Sequence, residues 1–563
     1  MSEVITETII PGTYIEVRAE GLLSVGAIAT GNVGVIGTAE MGGGDVQLLG
    51  SYEEGRARFG EPGAWDAGAG DDNLSLVRAL RLLFDNGART VYAQRVFDAA
   101  TAKPAAYKLS NDANVEVLTL VAKTPGAWGN RLEIRVEEGE AQAEVVDEVI
   151  HGNGSFPLSA QSVLTPAAEG NGNGNGDGAS IGKVVVRENG IAKRFQLKAS
   201  PATASASVVQ LNASDRTLTF AARPAAAAEV RASYWVPKEK LRKITLRFGN
   251  VQEVYVVPSV SYLAQLLGNN PSKLVDVVKA TGNGLPRVTP RFEVFKDGAN
   301  GAVTNALYQT ALDNLVDRNV QIVVVAGRKF TDVKSAVLGH VEKTENLGRE
   351  RIAVVGADSS DVAKVQENAN DVANKRVVLV APGLKQQDPT TGQLQELPPY
   401  FAAAAVAGKL SSVSPHISLT NKELAGIDGL AVDYNYGQLT SLVQDRVLVL
   451  QRKRGIRVVK GITTDDEAFK QISIRRVVDY VKEGTRQGAN QYIGKLNNTR
   501  VRGNLKSTLD GFLSDLLRRE FLTGYKLTVF ADRPMEIRGE VLVTMDLMPT
   551  FSIDVIRVVM NLS

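Results

Sequence analysis

The spacing of apolar and polar positions changes several times along this chain, and each change marks an element. At the C-terminal end Phe551, Ile553 and Val555 alternate with Ser552 and Asp554, the period of a half-buried strand. The run continues through Ile556, Arg557, Val558, Val559 and Met560. Near the start, after Pro11-Gly12, Thr13, Ile15 and Val17 alternate with Tyr14, Glu16 and Arg18. Chain ends usually fray unless a sheet holds them, yet both of these carry β-branched, strand-forming sequence. Two readings stay open at this point: each arm pairs within its own domain, or each adds a strand to a neighbouring copy.

Between the arms, Val33, Val35 and Ile36 suggest a short buried strand in the glycine-rich stretch 26–44. Leu76, Val77, Leu80, Leu83 and Phe84 share one helical face, with Asp72 as expected N-cap and Asn86-Gly87 as stop; 90–96 follows as a strand. From about residue 100 to 245 helical periodicity fades and short alternating runs such as 131–136 and 216–220 replace it. The Gly-Asn run 170–178 inside this region has no apolar content and reads as a mobile surface loop. Residues 290–385 alternate again: helix 304–318, strand 320–326, a helix capped by Thr331, strand 352–355, helix 359–374, strand 377–381. Continuous apolar strands between helices predict a parallel sheet covered on both faces.

The expected architecture is mixed α/β and multidomain. It has a strand arm over 1–20, an α/β core over 21–99 and 246–440, and a β-rich insertion over 100–245. An α+β C-terminal domain over 441–547 and a second strand arm over 548–563 complete it.

Composition narrows the chemistry. The 563 residues carry a formal net charge of +2 and no cysteine, which excludes disulfides and thiolate metal sites. No apolar run reaches the length of a membrane span, and 1–8 lacks the pattern of a signal peptide. The loops after 320–326 and 352–355 sit where doubly wound sheets bind ligands, but neither has the glycine spacing of a dinucleotide site. Gly182-Lys183, Gly408-Lys409 and Gly494-Lys495 lack the Ser or Thr that a P-loop needs. The three histidines, His151, His340 and His416, lie far apart, and His416 reads as a structural loop residue. Asp465-Asp466-Glu467 reads as the cap of a helix following Thr463-Thr464 rather than as a metal site. No catalytic, cofactor-binding or metal-ligating set is assigned.

The last third is more basic, with Lys and Arg outnumbering Asp and Glu about two to one between 445 and 530. Ile472 and Ile474, followed by Arg475-Arg476-Val477-Val478, read as a strand-to-helix passage. Leu505, Leu509, Phe512, Leu513, Leu516 and Leu517 then make a helical stripe, with Asn504 as expected cap and Gly524 as expected stop. Its other face shows Lys506, Asp510, Asp515, Arg518 and Arg519, either a solvated face or a surface for an acidic partner. Aromatic residues interleaved for base stacking are missing from it.

These residues together resemble the tail sheath family of contractile bacteriophage tails and contractile injection systems. The resemblance rests on the order of several passages. They are Pro11-Gly12-Thr13-Tyr14-Ile15-Glu16, the stretch 82–88, Pro125-Gly126-Ala127-Trp128-Gly129-Asn130, the stretch 400–410, Arg454-Gly455-Ile456-Arg457-Val458-Val459 and the stretch 472–480. Val458-Val459-Lys460 departs from the aromatic that many sheaths carry there, and 100–245 shows the least likeness.

The resemblance implies a non-enzymatic subunit that stacks in hexameric rings around an inner tube, with baseplate and terminal cap proteins as further partners. It favours exchange of both arms, through Thr13, Tyr14, Ile15, Glu16, Val17 and through Phe551, Ile553, Val555, Ile556, Val558. It also implies assembly in the host or producer cytoplasm, within a virion tail or injection particle. With it goes the expectation that Lys506, Arg518 and Arg519 face an acidic inner tube. No cofactor, nucleic acid or membrane insertion is expected. The rival readings are a Rossmann-like nucleotide- or cofactor-binding enzyme with an appended β domain, and a nucleic-acid scaffold using the basic third.

Overall fold

The computed structural model describes residues 28–68, 73–150, 155–164, 180–200, 202–212, 214–225 and 227–561. The N-terminal arm from Thr13 to Val17, the Asp72 cap, His151 and the Gly-Asn run lie outside the described residues. The chain divides into two compact units, one from the described parts of Met1–Phe97 and Val303–Ser563, the other Asp98–Ala302.

The first unit is built on a sheet whose strands are β1 (Val33–Gly37), β2 (Gln47–Leu49), β3 (Val91–Arg95), β4 (Ile322–Val325), β5 (Ile352–Gly356), β6 (Val377–Ala381), β7 (Glu423–Leu424), β8 (Leu448–Arg452) and β9 (Ile456–Val458). Their order is β2-β3-β1-β4-β5-β6-β8-β9-β7. From β3 to β8 every pairing is parallel; β2, β9 and β7 add antiparallel edges. Val33, Val35, Val324, Val354, Val378 and Val380 point to one face. There they meet helices α1 (Leu76–Asp85) and α5 (Pro399–Ser412). Ile36, Val323, Val325, Val355 and Leu379 point to the other, under α2 (Asn305–Leu315), α3 (Phe330–Asn346) and α4 (Val362–Asn370). Burial on both faces is why these strands are apolar at every position.

Helix α5 is hidden on all sides: Ala402 through Ala407 have no exposed surface. Small side chains let it approach its neighbours closely. A Cβ on Gly408 would lie 2.4 Å from the Leu83 carbonyl oxygen, and one on Gly356 would lie 2.1 Å from the Pro399 backbone.

The mixed α/β expectation holds, with local corrections. Residues 441–464 do not open a separate domain, because β8 pairs in parallel with β6 and β9 turns back on β8. Arg454 and Gly455 both have positive φ in that turn, 50° and 101°. Tyr52–Phe59 is a helix that the pattern did not show, since it buries only Gly55 and Phe59. Thr331 is not the cap of α3; it lies in the first turn, where its hydroxyl and backbone N–H both bond Asp358.

The second unit is mainly β, but it ends at Ala302 and not at 245. Strand Glu133–Glu138 pairs with Arg242–Phe248, which in turn pairs with Val251–Val257, and Val275–Ala280 pairs with Glu116–Ala122. Strands beyond 245 therefore complete sheets begun before 140. Trp128 is 1% exposed and meets Phe248 edge-on at 5.0 Å.

Candidate assembly surfaces

Beyond residue 464 the first unit changes character. Helix α6 (Ile472–Asn490) and helix α7 (Thr499–Arg518) pack against strands β10 (Leu522–Phe530) and β11 (Leu542–Pro549). Their shared core is Val477, Val481, Leu505, Leu509, Phe512, Leu513, Leu516, Phe521, Leu522 and Leu527. Gly484 lets α6 cross close to α7: a Cβ there would run into the Phe512 ring.

Several sequence expectations are corrected here. Asn498, not Asn504, caps α7, accepting from the Val501 N–H. The helix ends at Arg518, and Gly524 lies within β10. The passage 472–478 is helical throughout. It resembled a strand because Arg475 and Arg476 are buried along with the isoleucines, which hides the helical period. Asp465 caps no helix; its carboxylate accepts from the backbone of Glu467 and Phe469 in a loop, and Asp466 pairs with Arg446. His416 lies against the Phe521 ring, centroids 4.1 Å apart.

A charged joint ties α6 to the sheet. Arg376, 1% exposed, bonds Asp479 at 2.8 and 3.0 Å and Glu345 at 2.9 Å. Arg475 bonds the same Asp479, and Lys482 and Arg486 both reach Glu350. The Arg376 hydrogen bond holds the Glu345 carboxyl down at about 2, against its burial. Much of the basic excess read from the sequence is neutralised within the chain in this way, including Arg446, Arg457 and Arg518.

The hairpin β10–β11 is a two-stranded sheet, so among the described residues the outer edge of each strand has no partner. Open edges of this kind are templates for further strands. The chain leaves β11 with a bond from the Thr550 N–H to the Phe521 carbonyl, 3.1 Å, and then runs on through 551–561 without pairing to any described strand. Phe551, Ile553, Val555, Ile556, Val558, Val559 and Met560 are 66–85% exposed. The segment keeps the alternation read from the sequence, but inverted: Ser552 and Asp554 turn toward the body and the apolar side chains turn away. Asp554 accepts from Ser552 and Thr420 at 3.1 and 3.3 Å and lies 3.5 Å from Lys460. Neither Thr420 nor Lys460 was marked by the sequence, because the pairing spans more than ninety residues in one case and one hundred and thirty-four in the other.

Lys506, Arg518 and Arg519 are all exposed on α7 or just after it, but they do not form one patch. At 3.6 residues per turn Lys506 and Arg518 lie about 120° apart around the helix. Arg519 is engaged by Asp515 and stacks over the Phe521 ring at 4.9 Å. Asp510, one turn on from Lys506, accepts from the Tyr525 hydroxyl at 2.9 Å.

The positions where a doubly wound sheet would bind a nucleotide are filled by the chain itself. After β4, the Ala326 carbonyl accepts from Ser75 and Tyr308, at 3.1 and 2.9 Å. After β5, Gly356 sits against the start of α5, and Asp358 is bound by Thr331 and Asn368. The 430 Å³ cleft beside α6 is lined by 317–321 and 348–352, at the opposite, amino-terminal ends of these strands.

Residues 301–464 match the phage tail sheath protein central domain, and residues 464–563 match the phage tail sheath C-terminal domain. From residue 301 onward the chain is thus similar to the two domains of the tail sheath family. The junction at 464 is where the sheet gives way to α6 and the hairpin. A tail sheath protein of Bacillus phage SP01 is 26% identical over 284 residues, 48% of either chain. One of Mycobacterium phage Bxz1 is 28% identical over 203 residues, 33% of this chain and 35% of that one. The chain thus spans about half or less of the length of the curated relatives it matches. In fold, it is similar to the crystal structure of a sheath tail protein from Desulfitobacterium hafniense, with TM-score 0.57 and 16% identity, covering 96% of this chain and all of the other.

Proposed function

We propose that this sheath-family chain is the structural subunit of a contractile tail or injection particle, and that it is completed by its own copies. The observation that carries the reading is the combination, among the described residues, of an unpaired, apolar C-terminal segment and a hairpin with two open edges in the same subunit. A strand of one copy laid on the hairpin of the next satisfies both. A contact of this head-to-tail kind closes into rings or propagates as a helix. Stacked hexameric rings around an inner tube, joined by the N-terminal arm Thr13–Val17 and by Phe551–Val558, are the arrangement we favour. Baseplate and cap proteins would end the stack. Contraction is then a change in how subunits pack while the arms keep them joined, with no nucleotide required. Assembly takes place in the cytoplasm of the producing cell, before the particle is released.

For the tube, Lys506 is the strongest candidate for contact, because Arg518 and Arg519 both already pair with Asp515. Electron microscopy of the overexpressed chain tests the reading directly: long cylinders are expected from the full chain, and a monodisperse monomer at high concentration overturns it.

A further inference from the structure

The base of the C-terminal arm is not free in the way its apolar residues are. Asp554 is 18% exposed, between Ile553 at 80% and Val555 at 75%. Its carboxylate meets the Thr420 hydroxyl, which also accepts from the Gly461 N–H at 3.2 Å and so is fixed to the segment that carries Lys460. Lys460 stands 3.5 Å from the same carboxylate. Just before it, Phe551 lies over a 690 Å³ groove lined in part by Val443, Lys460, Ile462 and Ile474. Beyond Asp554 no hydrogen bond or ion pair to the described body is made, and every residue from Val555 to Asn561 is exposed.

We infer that Asp554 is a positioning residue that divides the arm in two. Thr550–Asp554 is a base seated on the subunit's own body, and the exchanged strand begins at Val555. Lys460 and Thr420 are the receptor for this pin, which sets the direction in which the strand leaves. A strand launched in a fixed direction reaches its partner edge at a higher effective concentration than one swinging freely. This inference rests on the arm-exchange reading of the previous section and narrows it to particular residues.

The test uses the full chain, with polymer measured by sedimentation and electron microscopy and folding checked by thermal melting. Asp554→Lys sets like charges against each other, and is expected to raise the concentration needed for polymerisation about fivefold, the effect of one partly exposed ion pair. The exchange Asp554→Lys with Lys460→Asp restores the pairing with opposite polarity and should bring assembly most of the way back. Unchanged assembly by Asp554→Lys, or a defect that the double exchange leaves untouched, overturns the pin. Removal of 555–563 separates the two ideas: polymers that form normally without those residues defeat strand exchange itself, whatever Asp554 does.

Discussion

Two apolar stretches of this chain have opposite fates. Helix α5 runs Phe-Ala-Ala-Ala-Ala-Val-Ala and is sealed between the sheet and α1, each of those residues without exposed surface. The segment 551–560 is apolar at seven of its ten positions, and all seven of those side chains are exposed. Burying such side chains is worth about 1.5–3 kcal/mol each, so the arm leaves a large stabilisation unrealised within the subunit. The first stretch has its partner within the fold; the second meets none among the described residues.

The comparison can be broken most sharply at the arm. Deleting 555–563, beyond the seated base, should leave the melting temperature of the monomer nearly unchanged while abolishing polymers, as read by sedimentation; a large loss of monomer stability would mean the outer arm belongs to its own body. Within the body the effects are expected to be on stability. Gly356→Ala places a Cβ where the Pro399 backbone lies, 2.1 Å away, and should cost about 3 kcal/mol or more in chemical denaturation, since overpacking against backbone cannot be relieved by a side-chain move. Arg376→Met leaves Glu345 and Asp479 without their shared cation at the joint to α6, and should cost about 3 kcal/mol, detectable as earlier melting.

Smaller effects come from titration and from the surface. Burial and the neighbouring Arg351 hold His340 down to about 4, below its ordinary 6.5. The unfolded chain therefore takes up a proton first as pH falls, and stability declines between about pH 6.5 and 4, where the folded state begins to protonate as well. His340→Gln should flatten this part of the stability-versus-pH curve, and an unchanged slope would assign the decline to other groups. The mildest change is expected from Lys506→Glu and Arg518→Glu. Each alone should leave sheath polymerisation intact and weaken only co-assembly with an acidic tube, more at low salt than at high.

How far the sequence reveals these features depends on whether the determining contacts are local. Strands β4, β5 and β6 were readable because two-sided burial makes every position apolar. The terminal alternation was readable for the same kind of reason, although period alone does not say which face turns outward. Tyr52–Phe59 was not readable, being a polar helix that buries one glycine and one phenylalanine. The limit of the second unit was misplaced because its sheets are closed by strands arriving more than a hundred residues after they begin, which no local period records. The Arg376 joint and the Asp554 pin escaped for that reason too, since each is a meeting of ordinary charged residues from distant segments. Lys506, Arg518 and Arg519 were read as a set because charge was counted along the sequence, whereas the helix spreads them around its axis.

The two-stranded hairpin has a practical consequence. Both of its rims are open among the described residues, so under the proposed exchange a short synthetic peptide copying residues 551–563 should behave as a chain terminator. It would occupy the acceptor on the growing end while offering none of its own. A dose of such a peptide would shorten the cylinders without unfolding a single subunit, and the length distribution would count how often the natural donor loses the race.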